Sequence, residues 1–122
     1  MFDLTVLQTS THARTGFGQW VSEAVATAGL LVTIGGFTRF AGSQVAAAVG
    51  AYIAAAYWFT ASTSFANPAV TTARALTDTF AGIRPADAPG FIASQLVGMA
   101  IGLVLVRVFF GKTLVEPVTP KR

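Results

Sequence analysis

Between Arg39 and Arg74 the chain carries no charged side chain for 34 residues, Phe40 to Ala73. As one continuous α-helix that run would be about 51 Å long at 1.5 Å per residue, against a bilayer hydrocarbon core of about 30 Å. Something must interrupt it. The polar but uncharged segment Thr60-Ala61-Ser62-Thr63-Ser64-Phe65-Ala66 does so, and Asn67-Pro68 follows directly. Asn is a preferred helix N-cap and Pro suits the first helical position, so a new helix is predicted to start inside the uncharged region. It is expected to run from Pro68 to about Thr77, roughly ten residues or 15 Å, half a membrane.

The rest of the chain supports lipid as the surrounding medium. Only 11% of the 122 residues are charged and 53% are hydrophobic, whereas soluble domains carry roughly 25% charged residues. Two further charge-free runs flank the long one, Ala24 to Thr38 and Ala88 to Val106. A first span is predicted from Trp20, at an interfacial position, to Phe37, with Arg39 closing the far end. A second begins near Gln44, is dense in Ala and Gly, and ends in the aromatics Tyr57-Trp58-Phe59. Gly82, Pro85, Pro89 and Gly90 break the chain before a last span, Phe91 to about Phe110, in which Gly98 and Gly102 are spaced for close helix packing. The predicted fold class is therefore an all-α membrane protein of three transmembrane helices plus one re-entrant half-helix.

In domain terms, residues 1–18 are expected to be a polar tail or loop, 19–110 the transmembrane unit, and 111–122 a basic tail. Met1 to Phe17 lacks the basic start and apolar core of a signal peptide. Arg39 and the cluster Arg107, Lys112, Lys121 and Arg122 place the C-terminus in the cytoplasm by the positive-inside bias, with the N-terminus and the Asn67 loop starting on the opposite side. The same bias accounts for the net charge of +3 without any nucleic-acid partner. With no cysteine and the single His12, disulfides, cysteine-ligated zinc and thiol catalysis are excluded and a metal site is disfavoured. No phosphate loop, paired-carboxylate site or nucleophile with a base is present, so neither an enzyme nor a cofactor is expected. Non-helical backbone at membrane depth is tolerated only inside protein or along a water-filled cavity, which makes the interrupted run a hint of a pore.

Asn67-Pro68-Ala69, opening a half-helix between two apolar spans, resembles the second Asn-Pro-Ala box of the major intrinsic proteins, the aquaporins and aquaglyceroporins. Glu23 and Thr27 resemble the Glu-x-x-x-Thr of that family's fourth span, and Gln95-Leu96-Val97-Gly98 its sixth. The resemblance covers nearly all of residues 18–110 and implies the C-terminal half of an inverted repeat. One half cannot enclose a family-type pore. Conduction would then require a second half-channel chain, self-association or a longer precursor, and a tetramer is the assembly usual in the family.

On that resemblance Asn67 donates hydrogen bonds to solutes passing in single file, at the positive end of the half-helix; on the residues alone it is a plain N-cap, and Pro68 a helix initiator. Water-selective members place an Arg directly after the box, where this chain has Val70. Twelve positions before Asn67, where they have His and glycerol-permeable members Gly, stands Ala55. Together with Ser64, whose counterpart lines the filter by its backbone carbonyl or is simply a polar turn residue, these imply a wide, weakly polar filter. It would suit water, glycerol, urea or neutral metalloid hydroxides. Glu23 is read either as buried beneath the re-entrant loop or as snorkelling to the interface, with Thr27 beside it in the loop-supporting motif. Arg74 and Asp78 are expected to form an i, i+4 pair, and Tyr52, Tyr57, Trp58 and Phe59 to anchor the interface. The alternative to a passive channel is a non-conducting remnant or small membrane interaction protein that keeps the fold.

Overall fold

A computed structural model of the chain describes residue 5 and residues 7–111. The described residues contain helices and no strand: α1 (Phe17–Phe40), a 3-10 turn at Gly42–Gln44, α2 (Val45–Phe59), α3 (Pro68–Arg74) and α4 (Ala88–Phe110). Beyond Gly111 the basic tail lies outside the described residues.

The long helices α1 and α4, 24 and 23 residues, are both long and apolar enough to cross a membrane. They pack on each other along one stripe of α4, where Phe91, Gln95, Gly98, Gly102 and Val106 are buried. That spacing repeats every three to four residues, one face of a helix. Small residues set the distance: a Cβ added at Gly98 would meet the Ala24 backbone, with its C and Cα both at 2.9 Å. At Gly102 it would stand 3.1 Å from Ala28 Cα. The opposite face of α4 leaves Leu96, Val97, Met99, Ile101, Leu103, Val104 and Val108 exposed. A contiguous apolar surface of that kind is unsuited to water and suited to lipid chains or a partner helix.

The second helix is shorter than a full span. Its 15 residues reach about 22 Å at 1.5 Å per residue, against a core of about 30 Å, so among the described residues two helices rather than the expected three have full spanning length. It is tied to α1 by the Tyr52 hydroxyl, which donates to the Ala26 carbonyl at 2.9 Å. Tyr52 is thus a helix-to-helix clasp, while Trp58 and Phe59 are exposed as the aromatics of a belt would be. α1 overruns the expected Trp20–Phe37 span at both ends, and α4 starts at Ala88 because Pro89 sits in its first turn, where a missing N–H costs nothing.

The half-helix α3 begins at Pro68 with Asn67 as its N-cap but stops at Arg74, short of the expected Thr77. Competing donors end it. The Arg74 carbonyl accepts from Ile83 N at 3.2 Å, that of Ala75 from Ser10 N at 3.1 Å, and that of Leu76 from Gln8 N at 3.0 Å. Residues 7–14 form no regular element, yet they are a packed strap rather than a free tail. Ser10 and Arg14 are each only 2% exposed. The Arg14 guanidinium donates to the carbonyls of Gly82 at 2.7 Å, Phe80 at 2.7 Å and Ser62 at 3.3 Å. Its backbone N–H donates to Asp87 at 2.9 Å. The strap also changes an expected pair: Asp78 accepts from Thr11 N at 2.9 Å and Thr11 Oγ1 at 3.0 Å and does not meet Arg74. With α3 ended at Arg74, Asp78 no longer lies one turn along the same helix.

Candidate functional site

The loop that leads into α3 is held in an unusual conformation. Thr63, Ser64 and Ala66 have φ of 58°, 48° and 51°, the left-handed region that costs non-glycine residues roughly 1–3 kcal/mol each. Buried polar backbone in such a loop needs partners, and the carboxylate of Glu23 provides them. Glu23 is 0% exposed. One carboxylate oxygen accepts from Phe65 N at 3.2 Å, the other from Ala66 N and from Gln95 Nε2, the latter at 2.8 Å. Gln95 Nε2 also donates to Thr71 Oγ1 in α3 at 2.7 Å, and Thr71 Oγ1 donates to the Asn67 carbonyl at 3.1 Å. One acid on α1 and one amide on α4 therefore bind both the loop and the half-helix.

Acceptor capacity explains why an acid serves here. An ionised carboxylate offers two oxygens and about four lone-pair sites, enough for two amide N–H groups and a glutamine NH2. An unpartnered buried N–H costs about 1–3 kcal/mol. A neutral side chain of the same length supplies one oxygen. Thr27 takes no part in this exchange: its hydroxyl donates to the Glu23 carbonyl at 2.8 Å, one turn back in its own helix. The loop contact expected of the Glu23–Thr27 motif is made by Glu23 alone.

Asn67 is exposed at the tip of α3, and its Oδ1 accepts from Ala69 N at 2.8 Å. Capping fixes the oxygen and leaves the Nδ2 donors without a partner among the described residues. Capping and donation are thus compatible roles of a single side chain. Ala55 is exposed on α2, while Val70 is half-buried against the cluster of Phe65, Ala75, Ile83 and Phe91. Ser64 is 2% exposed, and its hydroxyl has no partner among the described residues. Beside Asn67 and Pro68, a half-open recess of about 170 Å³ runs between α1 and α4, walled by Leu30, Leu31, Leu96 and Met99. Gln95, whose buried Oε1 has no partner among the described residues, also lines it.

The contacts of two residues of this site are not legible in the sequence. Gln95 stands as a polar side chain on the Gly98–Gly102 face of an apolar span, and that mismatch is the signal that could reveal it. Tyr57 reads as an interfacial aromatic, but its hydroxyl accepts from Arg74 at 2.5 Å.

The chain is 52% identical over 120 residues to the aquaglyceroporin AqpS of Rhizobium meliloti (strain 1021). The aligned region covers 98% of this chain and 49% of that relative, so the chain spans about half the relative's length. The chain belongs to the major intrinsic protein family. No family model and no solved structure matches it. Membership in a family of membrane channels agrees with the two long apolar helices and the lipid-suited face of α4, and the chain is an integral membrane protein. The Glu23–Gln95–Thr71 network reaches the Asn67 carbonyl through Thr71 Oγ1, at the start of the Asn-Pro-Ala tripeptide.

Proposed function

We propose that the chain forms one half of a passive channel for small uncharged solutes such as water, glycerol, urea or neutral metalloid hydroxides. The observation that carries this reading is the Asn67 amide, exposed at the tip of a helix whose approach loop is pinned from behind by Glu23 and Gln95. In this reading Asn67, Pro68 and Ala69 are the pore box. Ala55, Ser64 and Val70 are its filter positions, and Glu23, with Thr27 adjacent, supports the loop. α1, α2 with its 3-10 turn, and α4 cross the bilayer, the loop and α3 re-enter it, and the C-terminus is cytoplasmic. Val70 and Ala55 present only short apolar side chains, which favours a wide mouth and solutes larger than water.

The same geometry calls for a second half. Asn67 and Ala55 are exposed on the described residues rather than enclosed in a lumen, and the half-open recess beside Pro68 is where the tip of another half-helix would meet this one. A first-half chain, or a second copy of this one, would complete the conduit, with a tetramer of conduits as the higher assembly. The open face equally suits a second reading, a non-conducting remnant that keeps the fold. Vesicles carrying the chain alone and together with a first-half partner decide between them. Osmotic swelling in glycerol or urea above protein-free vesicles supports the channel. No swelling in either case, with a monomer on membrane cross-linking, supports the remnant.

A further inference from the structure

Position 70, directly after the tripeptide, carries no charge, yet the structure holds a guanidinium close by. Arg74 lies one turn further along α3, on the same face as Val70. Its Cζ sits 4.3 Å from the centroid of the Phe65 ring and 5.6 Å from that of Tyr57, and Nη2 donates to the Tyr57 hydroxyl. The remaining terminal nitrogen, Nη1, is buried without a partner among the described residues. No carboxylate among the described residues pairs with Arg74: the single ion pair is Arg84–Asp87, and Asp78 is taken by the strap. A second guanidinium, that of Arg14, lies 5.2 Å from the same Phe65 ring and bonds only to carbonyl oxygens.

We propose that Arg74, clamped by Tyr57 and Phe65, supplies the positive charge of the solute entrance that Val70 does not, making it a specificity-determining residue for charge. The assignment rests on the channel reading given above. An arginine held one turn back from the tripeptide leaves the width at Val70 free while its field still acts there. A planar guanidinium stacked on aromatic rings keeps its charge and has a fixed place. Because no acid among the described residues pairs with it and the Glu23 carboxylate is tied to the loop backbone behind Phe65, cations meet a positive charge there and neutral solutes do not. Arg14 adds a second positive charge behind Phe65, and Tyr57 is the positioning residue.

The chain has no cysteine, so a single Val70→Cys reporter can be placed in the full chain in lipid vesicles. Its modification rates by negatively charged, neutral and positively charged methanethiosulfonates report the local potential, with the neutral reagent correcting for access. Neutralisation by Arg74→Gln should lower the negative-to-positive rate ratio by about tenfold, from a unit charge acting over one helical turn at partly buried dielectric. Arg74→Lys should leave the ratio within about twofold, since the same charge remains. Arg74→Met, which keeps an apolar stem against Phe65, is the second neutral variant should Gln not fold. A ratio unchanged in both neutral variants overturns the assignment. Glycerol swelling of the same vesicles is a separate measurement: its absence alongside a shifted ratio rejects the channel reading and the entrance role with it, whereas swelling with an unchanged ratio rejects the Arg74 assignment alone.

Discussion

The carboxylate of Glu23 and the backbone amide of Ala66, 43 positions apart in the chain, are hydrogen-bonded to each other inside the protein. The bond joins the first turns of α1 to the residue before the Asn67 cap. It also stabilises a loop with three left-handed, non-glycine residues. Removing the acid should release that loop before it unfolds the helices. Glu23→Ala leaves two buried amide N–H groups unpaired and should cost roughly 3 kcal/mol, while Glu23→Gln, which keeps one acceptor, should cost about half as much. Thermal unfolding in detergent checks the size of the loss. Amide exchange at residues 65 and 66 checks its location, and a loss spread evenly over α1 and α4 would contradict the assignment.

The strap over the outer loops should respond to acid. Thr11 donates twice to Asp78 and holds its carboxyl below the usual 3.8. Arg84, followed by the Arg14 backbone N–H, does the same for Asp87 against partial burial. Both folded pKa values are depressed, so the stability they contribute is fully present above the unfolded value and is lost as pH falls through the folded one. Protection of the Thr11 and Arg14 amides should therefore be flat from neutral pH down to about 5 and fall only below about 4. Asp78→Asn should remove most of that dependence at Thr11. A loss of protection already complete at pH 5 would contradict the assignment to these two carboxyls.

Arg14 itself should be difficult to replace. Its three side-chain bonds to the carbonyls of Gly82, Phe80 and Ser62 need the fork of a guanidinium, which an ammonium cannot reproduce. Burial lowers its pKa, and the nearby Arg74 charge lowers it further, without removing the proton. Arg14→Lys should thus destabilise the strap by about 1–2 kcal/mol, read as faster proteolysis between residues 7 and 16 with α1 and α4 intact.

The long helices are readable from composition because lipid leaves few alternatives: a backbone without water must bond to itself. The start of α3 is readable for a local reason, since Asn67 and Pro68 cap and initiate a helix wherever they stand. Its end is not, because the groups that stop it, Gln8, Ser10 and Ile83, lie far away or on another segment. The Arg74–Asp78 pair looks sound by spacing and fails for the same cause. Arg14 reads as one polar residue in a polar stretch, and no local signal marks it as a buried hub. At the site, Glu23 can be read as either supporting or snorkelling, and only the fold brings Phe65 and Ala66 to it.

Contact between α1 and α4 should depend on Gly98 more than on any other glycine of the interface. A methyl there meets the Ala24 backbone, which cannot turn aside, whereas at Gly102 part of the conflict is with the Leu31 side chain at 3.0 Å. Gly98→Ala should cost about 2–3 kcal/mol and Gly102→Ala about 1–2 kcal/mol, within the range for overpacking. Gly50, with nothing within 4 Å, should tolerate Ala and gain up to about 1 kcal/mol from helix propensity. Unfolding midpoints of the three variants give the order, and equal losses at Gly98 and Gly50 would mean that the helices do not approach as described.

Asn67 offers a way to separate a cap from a solute donor. Ser is as good an N-cap as Asn, so Asn67→Ser should change stability by less than about 0.5 kcal/mol, while Asn67→Ala should lose roughly 1 kcal/mol with the bond to Ala69 N. The Nδ2 donors are absent from both variants. If the amide bonds to passing solutes, both should slow glycerol swelling by roughly fivefold, the worth of about one net hydrogen bond at the barrier. A plain cap predicts the opposite separation, with Ser swelling at the unaltered rate and only Ala impaired. Measuring stability and swelling on the same preparations keeps the two roles apart, because lost flux in a folded Ser variant of unaltered stability cannot come from a lost cap.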